Sequence, residues 1–240
     1  MVSFLMEGLR PIFCNVLDFA VKSAAKLVVH PRKRLAFFSE MWYNYKNIGN
    51  ARLVRRGMDG RKRCRWCNTR NPLYVAYHDS EWGVPHFDDR YLYEMLLLES
   101  FQAGLSFECI LNKREGFRRA YDGFDLDRVV LYGEAKVREL LCNSEIVRNR
   151  RKIEASIKNS RVFKDITREY GSFRAYLEGF TGGRTLYETG AVKNALSDAL
   201  SRDLQNRGMT FVGSVILYSY LQAIGVIVSH EEDCYLHKGE

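Results

Sequence analysis

Four side chains able to bind a soft metal ion stand at two ends of one long region: Cys64 and His78 near its start, His230 and Cys234 near its finish. Two sulfurs and two imidazole nitrogens suit tetrahedral zinc, and the His-x3-Cys spacing of the second pair can put both ligands on one helical face or in one turn. Each residue taken singly is as well explained as an incidental core or surface side chain. Cys67 also gives Cys64 a C-x2-C partner, so spacing leaves the ligand set near the start open. Cys14, Cys109 and Cys142 are scattered, and six cysteines in 240 residues are too few for a disulfide scaffold. Reduced thiols or metal ligands in a cytoplasmic setting fit better.

A second group is aromatic. Trp66, Tyr74, Tyr77 and Trp82 fall within seventeen residues. Such a group commonly builds core, but here it is interleaved with Asn71-Pro72, His78-Asp79 and Glu81, which reads as a loop-rich site. Tyr and Trp faces attract cations and stack on nucleobases. A third feature is Glu99, which continues the stripe of Leu92, Met95 and Leu96 at helical spacing and so points inward. A buried acid is costly unless paired or functional; the plainer alternative is a helix-end carboxylate turned to solvent, since Gly104 soon follows.

The elements that must hold these groups are helical nearly throughout. Asp88-Asp89 cap a helix carrying the Glu99 stripe. Further amphipathic segments run from Lys113 to Tyr121, Asp127 to Leu141, Ile146 to Phe163, Gly171 to Phe180 and Ala191 to Gln205, the last closed by Gly208 near C′. Phe211 to Val228 is apolar on all sides and predicts a central helix. Strand signals are confined to short apolar runs, and the class is all-α. No apolar run reaches the ~18 residues of a membrane span.

Net charge is +8, but residues 1–57 carry ten Lys/Arg against three Asp/Glu, and the remaining 183 carry 27 against 26. The region from Met58 to the C-terminus is thus close to neutral, and affinity for nucleic acid must come from a local patch. The basic, acid-poor stretch 1–57 reads as an organelle-import leader, as an accessory helix, or as sequence upstream of a start at Met58. Its removal is expected to leave function intact. The domain expected to do the chemistry is 58–240.

The segments RCRW, NPLYVAYHDSEWGVP, LESFQAGLS, KREGFR, RNRRKIEA, LSDAL, RGMTFVG and YSYLQAIG occur in the order seen in the 3-methyladenine DNA glycosylase I family, which this chain resembles over about three-quarters of its length. The resemblance implies a zinc-containing member of the helix-hairpin-helix glycosylase superfamily. It implies ligands at Cys64, His78, His230 and Cys234, with Cys67 spare and one structural zinc per chain. It places the base-recognition acid at Glu99 and the aromatic pocket at Trp66, Tyr74, Tyr77 and Trp82, with Phe107 where the family has a further Trp. Asn71 stands for the family's Asp.

The implied substrate is double-stranded DNA with alkylated adenine, bound by a monomer. Arg148, Arg150, Arg151 and Lys152 are then the phosphate contacts, assisted by the backbone amides of a helix N-terminus; four clustered bases also satisfy the description of a solvated helix face. Leu105, after Gly104, is the candidate wedge at the flipped-base gap. Glu145 stands where the family has Gly, which puts a carboxylate beside the expected phosphate contact. No Asp or Glu lies between Gly208 and Gly225, where the wider superfamily carries a catalytic Asp, and no motif places a Schiff-base lysine. A monofunctional enzyme is expected. A zinc nucleobase deaminase needs H-x-E with P-C-x2-C; His78 is followed by Asp79-Ser80 and Cys64 is preceded by Arg63, which rules that reading out. The remaining rival is an inactive DNA-binding module on the same fold.

Overall fold

A computed structural model describes residues 59–238. The extension 1–57 and Met58 lie outside the described residues. The chain folds around α2 (Asp89–Gln102), with eleven of its fourteen residues buried. Asp88 caps it as its spacing predicts, the carboxylate accepting from the amides of Arg90 and Tyr91. Before it lies α1 (Pro72–Ser80), opened by Pro72 behind an Asn71 cap. After it come the short α3 (Phe107–Leu111), capped by Ser106, and α4 (Arg114–Ala120).

The segment expected as one helix from Asp127 to Leu141 is two, α5 (Leu126–Val129) and α6 (Glu134–Cys142), parted before Gly133, the residue preceding α6. The next helix, α7 (Arg150–Tyr170), begins later and runs further than the span Ile146 to Phe163. Asn149 starts it by accepting from the Lys152 amide, while Ile146 is buried in the preceding turn. Helices α6 and α7 with the turn between them form a helical hairpin. The turn rests on Gly116 of α4, where a Cβ would lie 2.5 Å from the Glu145 carbonyl oxygen; only glycine permits that approach.

Beyond α7 lie α8 (Phe173–Thr181) and α9 (Ala195–Asn206), the latter opened by a capping box between Asn194 and Ser197. The apolar segment Phe211 to Val228 is not one helix. It forms α10 (Ser214–Ala223), which packs on α2 and α9, and then turns at Gly225. Gly225 has φ +75°, and a Cβ there would stand 2.3 Å from the backbone of Val84 and Pro85. That close passage ends the helix. The chain then pairs β2 (Ile227–Val228) in parallel with β1 (Leu186–Tyr187). The centre is therefore shared: α2 is the most enclosed helix, and α10 is its neighbour.

The passage past Val84 also brings the domain's two ends together. The Gly83 amide donates to Gln222 O and the His86 amide to Ile224 O. Tyr235 N donates to Lys62 O, and Lys62 pairs with Asp233 at 2.6 Å.

A charged network braces the junction of α1, α2 and α4. Arg114, 8% exposed, donates from Nη1 to both Glu81 carboxylate oxygens at 2.7 and 2.8 Å and also pairs with Glu94, which takes Arg118 as well at 2.9 Å. Tyr91 donates its hydroxyl to Glu81 at 3.0 Å. Removing Arg114 leaves Glu81 without its counter-charge and Glu94 with Arg118 alone, around a centre largely shielded from water. Arg114→Met is expected to lower the unfolding free energy by about 3–5 kcal/mol in urea titration. A loss below about 1 kcal/mol would show that the network is wet and weak.

Candidate active site and metal cluster

The four residues at the ends of the domain converge. Cys64, His78, His230 and Cys234 are all buried, and their ligand atoms lie within 4.8 Å of one another. His78 Nε2 is 3.5 Å from Cys234 Sγ, and His230 Nδ1 is 3.6 Å from both Cys64 Sγ and Cys234 Sγ. Metal–sulfur and metal–nitrogen bonds of about 2.3 and 2.05 Å at a tetrahedral angle give a sulfur–nitrogen edge of about 3.6 Å. The cluster has the dimensions of a tetrahedral site and can hold a metal ion. The His78 ring is oriented as a ligand must be. Its Nδ1 lies 2.8 Å from Asp79 Oδ1, which leaves Nε2 for the cluster. Asp79 is held in turn by buried Arg63, at 2.7 and 2.6 Å.

Cys67, left open by spacing, stands apart. Its sulfur faces the Tyr74 carbonyl at 3.8 Å, and burial pushes its thiol up to about 12. It behaves as a small core residue.

The aromatic set adjoins the metal cluster directly. The Trp66 ring lies 5.2 Å from Tyr74, 6.5 Å from Tyr77, 4.8 Å from Trp82 and 5.2 Å from His78. Trp82 lies 4.8 Å from His230. Phe107, at the start of α3, is 4.9 Å from Tyr77. All five expected aromatics are thus joined in one chain of ring contacts, with Tyr74, Tyr77 and Trp82 buried and Trp66 and Phe107 half-buried.

Glu99 is 2% exposed near the end of α2, inward as its helical phase predicts. Burial is the main reason the Tyr74 and Tyr77 hydroxyls are pushed above their ordinary range. Nearby carboxylate charge adds to it, from Glu108 and then Glu99 at Tyr74, and from Glu99 at Tyr77. Both tyrosines are therefore neutral phenols in a negative field. One turn beyond Glu99, Gln102 has a buried side-chain oxygen with no hydrogen-bond partner among the described residues. Leu105 follows the exposed turn at Gly104 and is half-buried, so the acid and the candidate wedge share one helix end.

The hairpin divides the basic cluster. Arg148, Arg150 and Arg151 are exposed at the start of α7. Arg150 is paired with Glu134 and Glu154, each at 3.0 Å, whereas Arg148 and Arg151 make no ion pair among the described residues. Lys152 departs from the expected phosphate role. Its side chain turns inward, and its ammonium donates to Phe101 O at 2.8 Å and Ala103 O at 2.6 Å. Burial draws it down to about 8. The reason is local: α2 ends with carbonyls that lack intrahelical partners, and Lys152 satisfies them. Lys152 therefore fastens the hairpin to the helix that carries Glu99.

Glu145 fits the hairpin without strain. Positive φ among the described non-glycine residues occurs only at Asp122, Phe124 and Phe211. The Glu145 carboxylate turns to Arg119 at 2.8 Å, which also lowers its proton affinity.

Several supporting residues escaped sequence reasoning. Arg114 and Glu94 were hidden in helices as ordinary charges, and only Glu94's place among the apolar residues of α2 gave a signal. Asn68 and Glu108 gave none, because the contact between them spans 40 positions.

Comparison with known proteins gives the family and the fold. The profile of the methyladenine glycosylase family matches residues 66–237. The DNA-3-methyladenine glycosylase 1 of Escherichia coli K12 is 40% identical over 185 residues, covering 74% of this chain and 98% of that protein. A crystal structure of 3-methyladenine DNA glycosylase I superposes with a TM-score of 0.71 at 39% identity, over 74% of this chain and all of that one. A Tyr-to-Phe variant of such an enzyme in complex with 3-methyladenine superposes with a TM-score of 0.68 at 30% identity, over 71% of this chain and 95% of that one.

Proposed function

The chain belongs to the methyladenine glycosylase family, and from that premise we propose that it is a DNA-3-methyladenine glycosylase acting on alkylated duplex DNA. The observation that carries this reading is the buried Glu99, whose charge reaches the Tyr74 and Tyr77 hydroxyls within a set of five linked aromatic rings. A glycosylase must first bring its target base out of the stack. Methylation at N3 gives adenine a positive charge, which weakens the N-glycosidic bond and makes strong protonation by the protein unnecessary. What the pocket must still do is tell a cationic base from neutral adenine.

The proposed roles follow from that requirement. Rings of Trp66, Tyr74, Tyr77, Trp82 and Phe107 surround the base, with cation–π attraction worth up to about 2 kcal/mol when desolvated. Glu99 accepts from the exocyclic amine in a charge-assisted hydrogen bond. The bond between C1′ and N9 breaks, the base leaves neutral, and water adds to C1′ while releasing a proton. Leu105 fills the gap in the duplex; Arg148, Arg150 and Arg151, with the amides opening α7, contact phosphates. The Cys64, His78, His230 and Cys234 cluster is assigned to one structural zinc, whose four protein ligands leave no position open for water. When bound it joins the first and last segments of the domain.

We further place the enzyme as a monomer in the cytoplasm, with 58–240 as the glycosylase domain and 1–57 dispensable. No described helix is long and apolar enough to cross a membrane. In a duplex with one 3-methyladenine, the protein is expected to create an alkali-labile site and leave the strand uncut until alkali is added. Strand breakage without alkali would overturn the monofunctional assignment, and saturable binding without any labile site would favour an inactive DNA-binding module.

A further inference from the structure

We propose that Glu108 is a second acidic determinant of base selection, biasing the pocket toward a cationic base while its carboxylate ties two pocket walls together. The inference rests on the aromatic set being the base pocket. Glu108 follows Phe107 on α3 and is half-buried. Its Oε1 accepts from Asn68 Nδ2 at 2.8 Å and from Asn71 Nδ2 at 2.9 Å. Asn71 also caps α1, its Oδ1 accepting from the Leu73 amide at 3.1 Å, and donates to Asn112 Oδ1 at 3.0 Å. The helix bearing Phe107 is thereby fastened to the segment bearing Trp66 and to the helix bearing Tyr74 and Tyr77.

The type of partner matters as much as the contact. Both donors are neutral amides, and Glu108 makes no ion pair among the described residues. Its charge is held in place without being cancelled, so its field remains available to a ligand. That field reaches the pocket: after burial, Glu108 is one of the charges, with Glu99, that hold the Tyr74 hydroxyl above its ordinary range. Asn71 completes the device. The Asp expected there by family resemblance would oppose Glu108 with a like charge and could donate nothing. An uncancelled carboxylate near a partly desolvated cation changes its binding by roughly tenfold at an effective dielectric of about 20.

Glu108→Gln keeps an acceptor oxygen for both amides and removes the charge. Competition with glycosylase activity by two small bases reads the effect: 3,9-dimethyladeninium, permanently cationic, and neutral 9-methyladenine. The variant is expected to bind the cation roughly tenfold more weakly and the neutral base within about twofold of wild type. Glu108→Asp, which keeps the charge on a shorter arm, should retain the preference even where it loses an amide contact. Equal weakening toward both bases, or loss of the preference in Glu108→Asp as well, would overturn the proposal in favour of a purely structural tie. If the wild type binds neither base and Glu99→Gln leaves excision unchanged, the base-pocket reading itself falls.

Discussion

Replacing Cys234 with alanine is expected to cost about 4 kcal/mol or more of folding stability and to lower Tm by roughly 10 °C. The reason lies in what the cluster connects. Cys64 and His230 are 166 positions apart, yet their ligand atoms lie 3.6 Å from each other in a buried site. A metal bound there stabilises only the folded chain, because the unfolded chain rarely brings those four side chains together. Removing one sulfur also leaves His78 and His230 facing an incomplete buried cavity. Two readouts check this without reference to activity. Metal analysis of the purified protein should find one zinc per chain in wild type and little in Cys234→Ala. A chelator should shift the wild-type melting curve toward that of the variant. Wild-type protein free of zinc, or a variant of unchanged Tm, would contradict the staple.

Glu99→Gln is expected to reduce kcat/KM for 3-methyladenine excision by about 10²–10³, a loss of roughly 3–4 kcal/mol of transition-state stabilisation. The substitution preserves shape but removes the negative charge beside the aromatic rings. It weakens recognition of the cationic base and lets neutral adenine compete better for the pocket. Stability should not fall with activity, because a buried carboxylate is costly to desolvate and an amide is less so. A variant that loses activity in proportion to a lowered Tm would indicate structural damage instead of lost recognition.

These two groups are legible in the sequence by different means. Helical phase puts Glu99 on the stripe of Leu92, Met95 and Leu96, but Glu94, off that stripe, is buried as well, and the family resemblance is what singles Glu99 out. The cluster is visible only as two separate pairs, and the link between them requires the fold: Gly225 lets the chain pass against Val84 and Pro85, and that passage carries His230 toward His78. The same turn is why Phe211 to Val228 could not be one helix, although its composition is apolar throughout. A hydrophobic run reports burial, and burial is compatible with either a helix or a buried strand.

Lys152 shows the complementary failure. In IVRNRRK it reads like the three arginines, and its residue type and neighbours do not distinguish it. Helical phase turns it toward the carbonyl end of α2, and those unsatisfied groups decide its role. Glu145 shows how a local departure is absorbed by a distant partner: Arg119 takes its carboxylate, and the hairpin backbone keeps an ordinary conformation. Arg114 with Glu81 and Glu94 illustrates the general limit. Charges on helices usually face water, so buried networks assembled from three elements are seen only once those elements are packed.

Identifying the released base tests the glycosylase function most directly. Duplex DNA methylated at N3 of adenine is incubated with substoichiometric protein, and the soluble products are resolved by chromatography. Free 3-methyladenine is expected in excess over protein, with Glu99→Gln releasing at most about a hundredth as much at equal time. Saturable DNA binding by a folded wild-type protein that releases no 3-methyladenine would contradict that function.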